Sequence, residues 1–140
     1  MVKVSIVSSS NRTTGVTQAL ELIDSDVVIP DKPVMVKPNF VTTSNQLAAT
    51  HVDSTRATLE YLSEKGVSQF LIAVGPAIGT PESGFDNYGY RDLSRDFKIE
   101  FMDLNTDDSI PVPAFDDQLN AQTLYMSKRL SESYVVSVCP

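Results

Sequence analysis

Lys37, Asn39, Thr50 and His51 stand close together in the stretch "VKPNFVTTSNQLAATHVD". A lysine held between an apolar run and Pro38 must either snorkel to solvent or meet a charge. Asn39 and Thr50 add an amide and a hydroxyl. His51 is the only histidine of the chain; its ring can cap or pack at a helix start, or serve as a ligand or general acid. No second histidine and no carboxylate pair lies near it in the sequence. Three further groups of polar residues have the same character: Ser8, Ser9, Ser10, Asn11 and Arg12; Gly75, Gly79 and Thr80; and Asp103, which can orient a ligand hydroxyl or cap a turn. Hydroxyls, free backbone N–H groups at helix starts and the cations Arg12 and Lys37 suit a small anionic or phosphorylated molecule. The glycine segment is G-x-x-x-G, which is neither the dinucleotide-binding nor the triphosphatase pattern.

These residues act together only if the chain carries them to one edge. Val2, Val4, Ile6 and Val7 predict a first strand, and "SSSNRTTG" after it is turn-rich. Val16, Ala19, Leu20 and Ile23 recur at helical spacing. "VVIP" predicts a short edge strand. Val34, Met35 and Val36 are continuously apolar, as in a strand covered on both faces, and Pro38 should end it near Lys37. Asp53 suits the N-cap of the next helix, with Val52 stapled against Ala57. Gly66 suits its left-handed closure, with Val67 folding back on Leu62. "FLIAVG" is another buried strand. Thr80 before Pro81 starts a short helix running to about Tyr88, weakened by Gly84 and stopped by Gly89, with another from Leu93 to Phe97. "KIEFMDLN" is a strand, Thr106 to Gln118 a loop, "TLYMSKRL" a strand or ribbon, and "YVVSVC" a last buried strand in which Cys139 is a buried, inert thiol.

Strands alternating with helices predict one α/β domain over residues 1–140, a three-layer sandwich with a mainly parallel central sheet containing Val4, Val36, Ile72 and Phe101. Ligands of such sheets bind outside the carboxyl ends of the strands, which is where all the polar groups above fall. The connection from Phe40 to Val52 far exceeds the roughly two to six residues usual in α/β units. We expect a lid-like segment anchored by Leu47, Ala48 and Ala49, which sets Asn39 and His51 beside Lys37 at the mouth of a pocket.

Composition narrows the partners. With 41% hydrophobic and 21% charged residues the chain is of ordinary globular character. Eighteen acidic against eleven basic residues give a net charge of −7, which repels phosphate backbones, and no basic stripe compensates, so nucleic acid is not an expected partner. No apolar run approaches the length of a membrane span, so no membrane partner is expected and a cytoplasmic location is the default. One cysteine forms no internal disulfide and has no neighbours at zinc-ligand spacing.

In order, "VKPNF", "ATH" before a helix, a strand running into "GPAIGT", "NYGYRDL" and "FMDLN" resemble the domain-of-unknown-function family 362 over about residues 34–105. The resemblance places Lys37, Pro38, Asn39, Thr50, His51, Gly75, Gly79, Gly89, Tyr90 and Asp103 on family motif positions. Pro76 stands where family members often carry an acid. The resemblance further implies an N-terminal part of a longer protein, whose remaining chain or a ferredoxin-type domain supplies iron–sulfur chemistry. No iron–sulfur cluster is expected on this chain itself, since one cysteine cannot hold one, and any other cofactor is unspecified. Two functions follow: half of a redox-associated enzyme or maturation protein with an anionic ligand at the strand ends, or a non-catalytic scaffold presenting an iron–sulfur partner. Convergence of Lys37, Asn39 and His51 on a pocket would favour the first; the same residues dispersed or packed against backbone would favour the second.

Overall fold

The computed structural model describes residues 3–140. The apolar runs of the sequence become short parallel strands: β1 (Val34–Pro38), β2 (Phe70–Val74), β3 (Ile99–Asp103) and, after an antiparallel ribbon of β4 (Ser109–Phe115) and β5 (Ala121–Ser127), β6 (Tyr134–Val138). The sheet order is β3-β2-β1-β6, with Val36 level with Ile72 on one side and with Val136 on the other. Among the described residues four α-helices accompany the strands: α1 (Arg12–Glu21), α2 (Val52–Glu64), α3 (Pro81–Asn87) and α4 (Lys128–Glu132).

Alternation along the strands divides the core into two faces. Val34, Val36, Ile72 and Val74 point to the side where Leu59 and Leu62 of α2, Phe85 of α3, Tyr90 and Leu93 pack against them. Met35, Leu71 and Ala73 point to the other side, beneath Leu104 and Leu130 of α4. Helix, sheet and helix make an α/β domain of three layers. The two central strands are covered on both faces, which is why they read as unbroken apolar runs.

Local signals set the helix ends. At the end of α2 Gly66 has φ +92°, its N–H donates to Ser63 O at 2.9 Å, and the Val67 N–H donates to Leu62 O at 3.1 Å, the double closure of a Schellman motif. Thr80 caps α3 and Pro81 is its first residue. Gly84 is buried within α3 because a Cβ there would lie 2.8 Å from the Phe40 ring, so close packing outweighs its poor helix propensity. Gly89, at φ +74°, ends that turn and leads into a 3₁₀ helix, Tyr90–Arg95.

Several expectations are corrected. The first strand is absent among the described residues: Lys3 to Ser9 carry no strand pairing, and Val2 lies outside them. Val4 and Ile6 are 82% and 90% exposed, while Ser5 Oγ donates to Ala19 O and Lys3 pairs with Asp26, so this segment lies along α1. A β-branched run becomes a strand only where a pleated surface covers it; the neighbour of β1 on that side is β6. Val27 to Pro30 is likewise not a strand, although Val27 and Ile29 pack on the core. The expected loop at Thr106–Gln118 contains β4. Its Pro111 and Pro113 sit two apart in a two-stranded ribbon, where alternate N–H groups face away from the partner and proline is tolerated. The cap of α2 is not Asp53 but His51, whose ring takes the capping role open to it in the sequence.

Candidate functional site

From β1 to β2 to β3 the sheet grows in one direction, and the chain then returns through the ribbon and α4 to set β6 on the opposite side of β1. The order therefore reverses between β1 and β6, the position at which open α/β sheets leave a crevice outside the strand ends. A cavity of about 290 Å³ lies there, lined among others by Arg12, Gln46, Ala49, His51, Ser54 and Cys139. A hollow of about 360 Å³ on the ribbon, lined by Pro111, Val112, Pro113, Ala121, Gln122 and Thr123, has no charged group.

Two helix starts bring the polar groups to the cavity. Arg12 is the first residue of α1, whose cap Asn11 accepts from the Thr14 N–H through Oδ1 at 2.9 Å. His51 caps α2: its Nδ1 accepts from the Asp53 N–H at 3.2 Å, and its carbonyl accepts from Ser54 N–H at 3.1 Å. Acceptance at Nδ1 places the proton of a neutral ring on Nε2. Helix N-termini carry partial positive charge, so both helix starts favour an anion, as does the Arg12 guanidinium. Asp53 Oδ2 stands 3.3 Å from His51 Nδ1 but does not line the cavity.

Thr50 and Asn39 join the ends of β1 and β6 beneath this crevice. The fully buried Thr50 hydroxyl donates to Val138 O at 2.6 Å and accepts from the Asn39 N–H at 2.9 Å, while the Thr50 N–H donates to Asn39 O at 2.8 Å. The connection from Phe40 to Val52 is pinned along its length. Phe40 meets the rings of Phe85, Tyr88 and Tyr90 edge-on or nearly so, with centroids 5.1 to 5.8 Å away. Tyr88 donates its hydroxyl to Thr42 O at 2.6 Å and accepts from the Asn45 N–H at 3.0 Å, and Asn87 Nδ2 donates to Thr43 O. Ala49 anchors the loop as expected, but Leu47 does not: it is 92% exposed at the tip.

The remaining sequence-derived candidates lie elsewhere. Lys37 falls on the same face as Met35, opposite the side taken by α2, beside Ser137, and does not line the cavity. Gly75 faces Asn105, where a Cβ would come within 2.9 Å of its side-chain oxygen. Gly79 has φ +94°, and a Cβ there would collide with the Thr43 hydroxyl at 1.9 Å. Thr80 accepts from the Ser83 N–H as the α3 cap, and Asp103 Oδ1 accepts from the Asn105 N–H at 2.8 Å in a turn. Arg12 and His51 are thus brought together, with Asn39 and Thr50 beneath them; Lys37, Gly75, Gly79, Thr80 and Asp103 are not. Ser54 and Pro140 are lining residues that the sequence did not single out, and Cys139 reads in it as an inert thiol. Cys139 is exposed rather than buried, because it follows the last strand at an edge of the sheet. A helix beginning directly after a strand-end loop was the available signal for Ser54.

Among the described residues no cluster of three or more His, Cys, Asp or Glu side chains is placed to hold a metal ion, and no helix is long and apolar enough to cross a membrane. A family model described as a domain of unknown function (DUF362) matches residues 34–140. No curated protein and no solved structure matches the chain.

Proposed function

We propose that this chain, which belongs to the DUF362 family, binds a small anionic or phosphorylated molecule in the cavity between the carboxyl ends of β1 and β6. The observation that carries this reading is the meeting of Arg12 with the starts of α1 and α2 at the point where the strand order reverses. None of the side chains lining the cavity is acidic, in a chain with a net charge of −7. The binding serves a redox-associated protein. Its iron–sulfur cluster belongs to a further part of the chain or to a ferredoxin-type partner, since such clusters take four thiolates and this chain has one cysteine. A single thiol fits a reducing compartment such as the cytoplasm.

Inorganic phosphate and sulfate should raise the melting temperature, because a ligand that binds only the folded state stabilises it by mass action. Arg12→Gln should abolish that rise. An equal rise in the variant would remove the cavity from consideration. The second reading, a scaffold that presents an iron–sulfur partner, is favoured by Lys37 lying apart from Asn39 and His51, by the bond of the His51 ring to backbone, and by the ribbon, whose Phe115, Leu124 and Tyr125 are exposed apolar groups suited to a protein surface.

A further inference from the structure

His51 Nδ1 lies 3.2 Å from the backbone nitrogen of Asp53 and 3.3 Å from the carboxylate Oδ2 of the same residue. One nitrogen cannot serve both in one protonation state. Neutral, it is an acceptor and takes the helix N–H; protonated, it is a donor, and of these two groups only the carboxylate can accept from it. We infer that His51 is a proton-operated switch on the anion site, an inference that rests on the reading of the cavity given above.

The exchange balances simply. A proton from water adds to Nδ1, the ring becomes a cation, the Nδ1–H donates to Asp53 Oδ2, and the Asp53 N–H loses its cap. Two things then change at the mouth of the cavity: a positive charge stands on a lining residue, and a backbone N–H at the positive end of α2 is left without its acceptor. Both favour an anion. Every charged or titratable group facing the ring enters this balance. Asp53, in the first turn of α2, stands 3.3 Å from Nδ1 and offsets part of a charge on the ring. Arg12, at the start of α1, adds to the pull on the ligand. The Cys139 thiol lies beyond β6, and Gln46 and Ser54 are uncharged. Linkage makes the effect reciprocal: a bound anion must raise the proton affinity of His51 by the same factor that protonation raises the affinity for the anion.

Sulfate is the suitable probe, since its charge does not change between pH 5.5 and 8. The ring of His51 and the amide of Asp53 are followed by NMR through that range, and sulfate affinity is measured at both ends. The Asp53 amide should titrate with the same midpoint as the ring. Sulfate should bind about two- to fivefold more tightly at pH 5.5, the range that one charge at an exposed helix end supplies. His51→Asn keeps an oxygen cap but has no proton to gain, and should bring the affinity at pH 5.5 down to that at pH 8. An Asp53 amide that ignores the ring, or a pH dependence that survives in His51→Asn, overturns the switch. If the protein binds no sulfate at either pH, the anion site itself fails, while the amide titration still decides whether the cap exchanges.

Discussion

The hydroxyl of Tyr90 donates to the carbonyl of Thr50 at 3.0 Å, joining the 3₁₀ helix after α3 to the residue beneath the cavity. The same oxygen lies 3.0 Å from the Thr55 hydroxyl, in a fully buried position. Burial holds the Tyr90 phenol neutral, pushing its ionisation well above the ordinary range. Tyr90→Phe keeps the ring that packs on Phe40 but takes a partner from the buried Thr55 hydroxyl and leaves Thr50 O with only the longer bond from Gln46 Nε2 at 3.4 Å. Denaturant unfolding should show a loss of about 1–3 kcal/mol, the penalty for such groups. A loss below about 0.5 kcal/mol would mean that water replaces the hydroxyl.

Two glycines of positive φ should separate strain from crowding. At Gly66 nothing lies within 4 Å of an added Cβ, so Gly66→Ala should cost only the left-handed backbone, about 1–2 kcal/mol. At Gly79 the same backbone cost is joined by the collision with the Thr43 hydroxyl, which also accepts from Ser83 at 2.9 Å. Gly79→Ala should therefore be the more damaging of the two in a side-by-side urea titration, and equal losses would contradict the close approach.

Tyr61 donates to Asp24 at 2.9 Å, and Lys65 pairs with the same carboxylate. Burial and then the bond to Asp24 push the Tyr61 phenol up to about 12. A raised folded value means that the folded state holds the proton more tightly than the unfolded chain. Its contribution is thus complete below the ordinary value of 10 and is lost as pH rises towards about 12. Tyr61→Phe should lack that alkaline step. Asp24 has the opposite sign: Lys65 first and Tyr61 second hold its carboxyl below the ordinary 3.8, so its contribution is complete above that value and is lost on further acidification. Asp24→Asn should flatten the acid limb of stability against pH.

Hydrogen exchange should rank the two sheets. The ribbon of β4 and β5 is largely exposed and only two strands wide, a structure of marginal stability in water. Its amides should exchange at least tenfold faster than those of β1 and β2, whose opening approaches global unfolding. Equal protection would show that the ribbon is covered in solution.

The readable parts of the fold were those in which local chemistry and burial agree. Val34–Val36 and Phe70–Val74 are apolar on both faces because they are central, and Gly66 and Thr80–Pro81 mark ends that depend only on neighbouring residues. The misread parts depend on distant chain. Val4 and Ile6 have the composition of a strand and no surface to cover them. Pro111 and Pro113 argue for a loop until the ribbon supplies a second strand. The cap of α2 fell to His51, whose ring nitrogen accepts as an Asp oxygen would; capping was one of the roles open to that ring, and only the choice of Asp53 as the cap was a misreading. The site was legible as a set of strand ends and illegible as a cavity: which ends meet is fixed by β6, nearly a hundred residues beyond β1, while alternation along β1 puts Lys37 on the far face with Met35.

The pinned loop has an optical consequence. With no tryptophan in the chain, its near-ultraviolet absorption and emission come chiefly from five tyrosines, and two of them, Tyr88 and Tyr90, are wedged with Phe40 where the loop from Phe40 to Val52 meets α3. Their rings are fixed by hydroxyl bonds to Thr42 and Thr50, on either side of the loop tip. Near-ultraviolet circular dichroism therefore follows this joint directly, without a label, and would reveal its loosening while the far-ultraviolet signal of the helices is still intact.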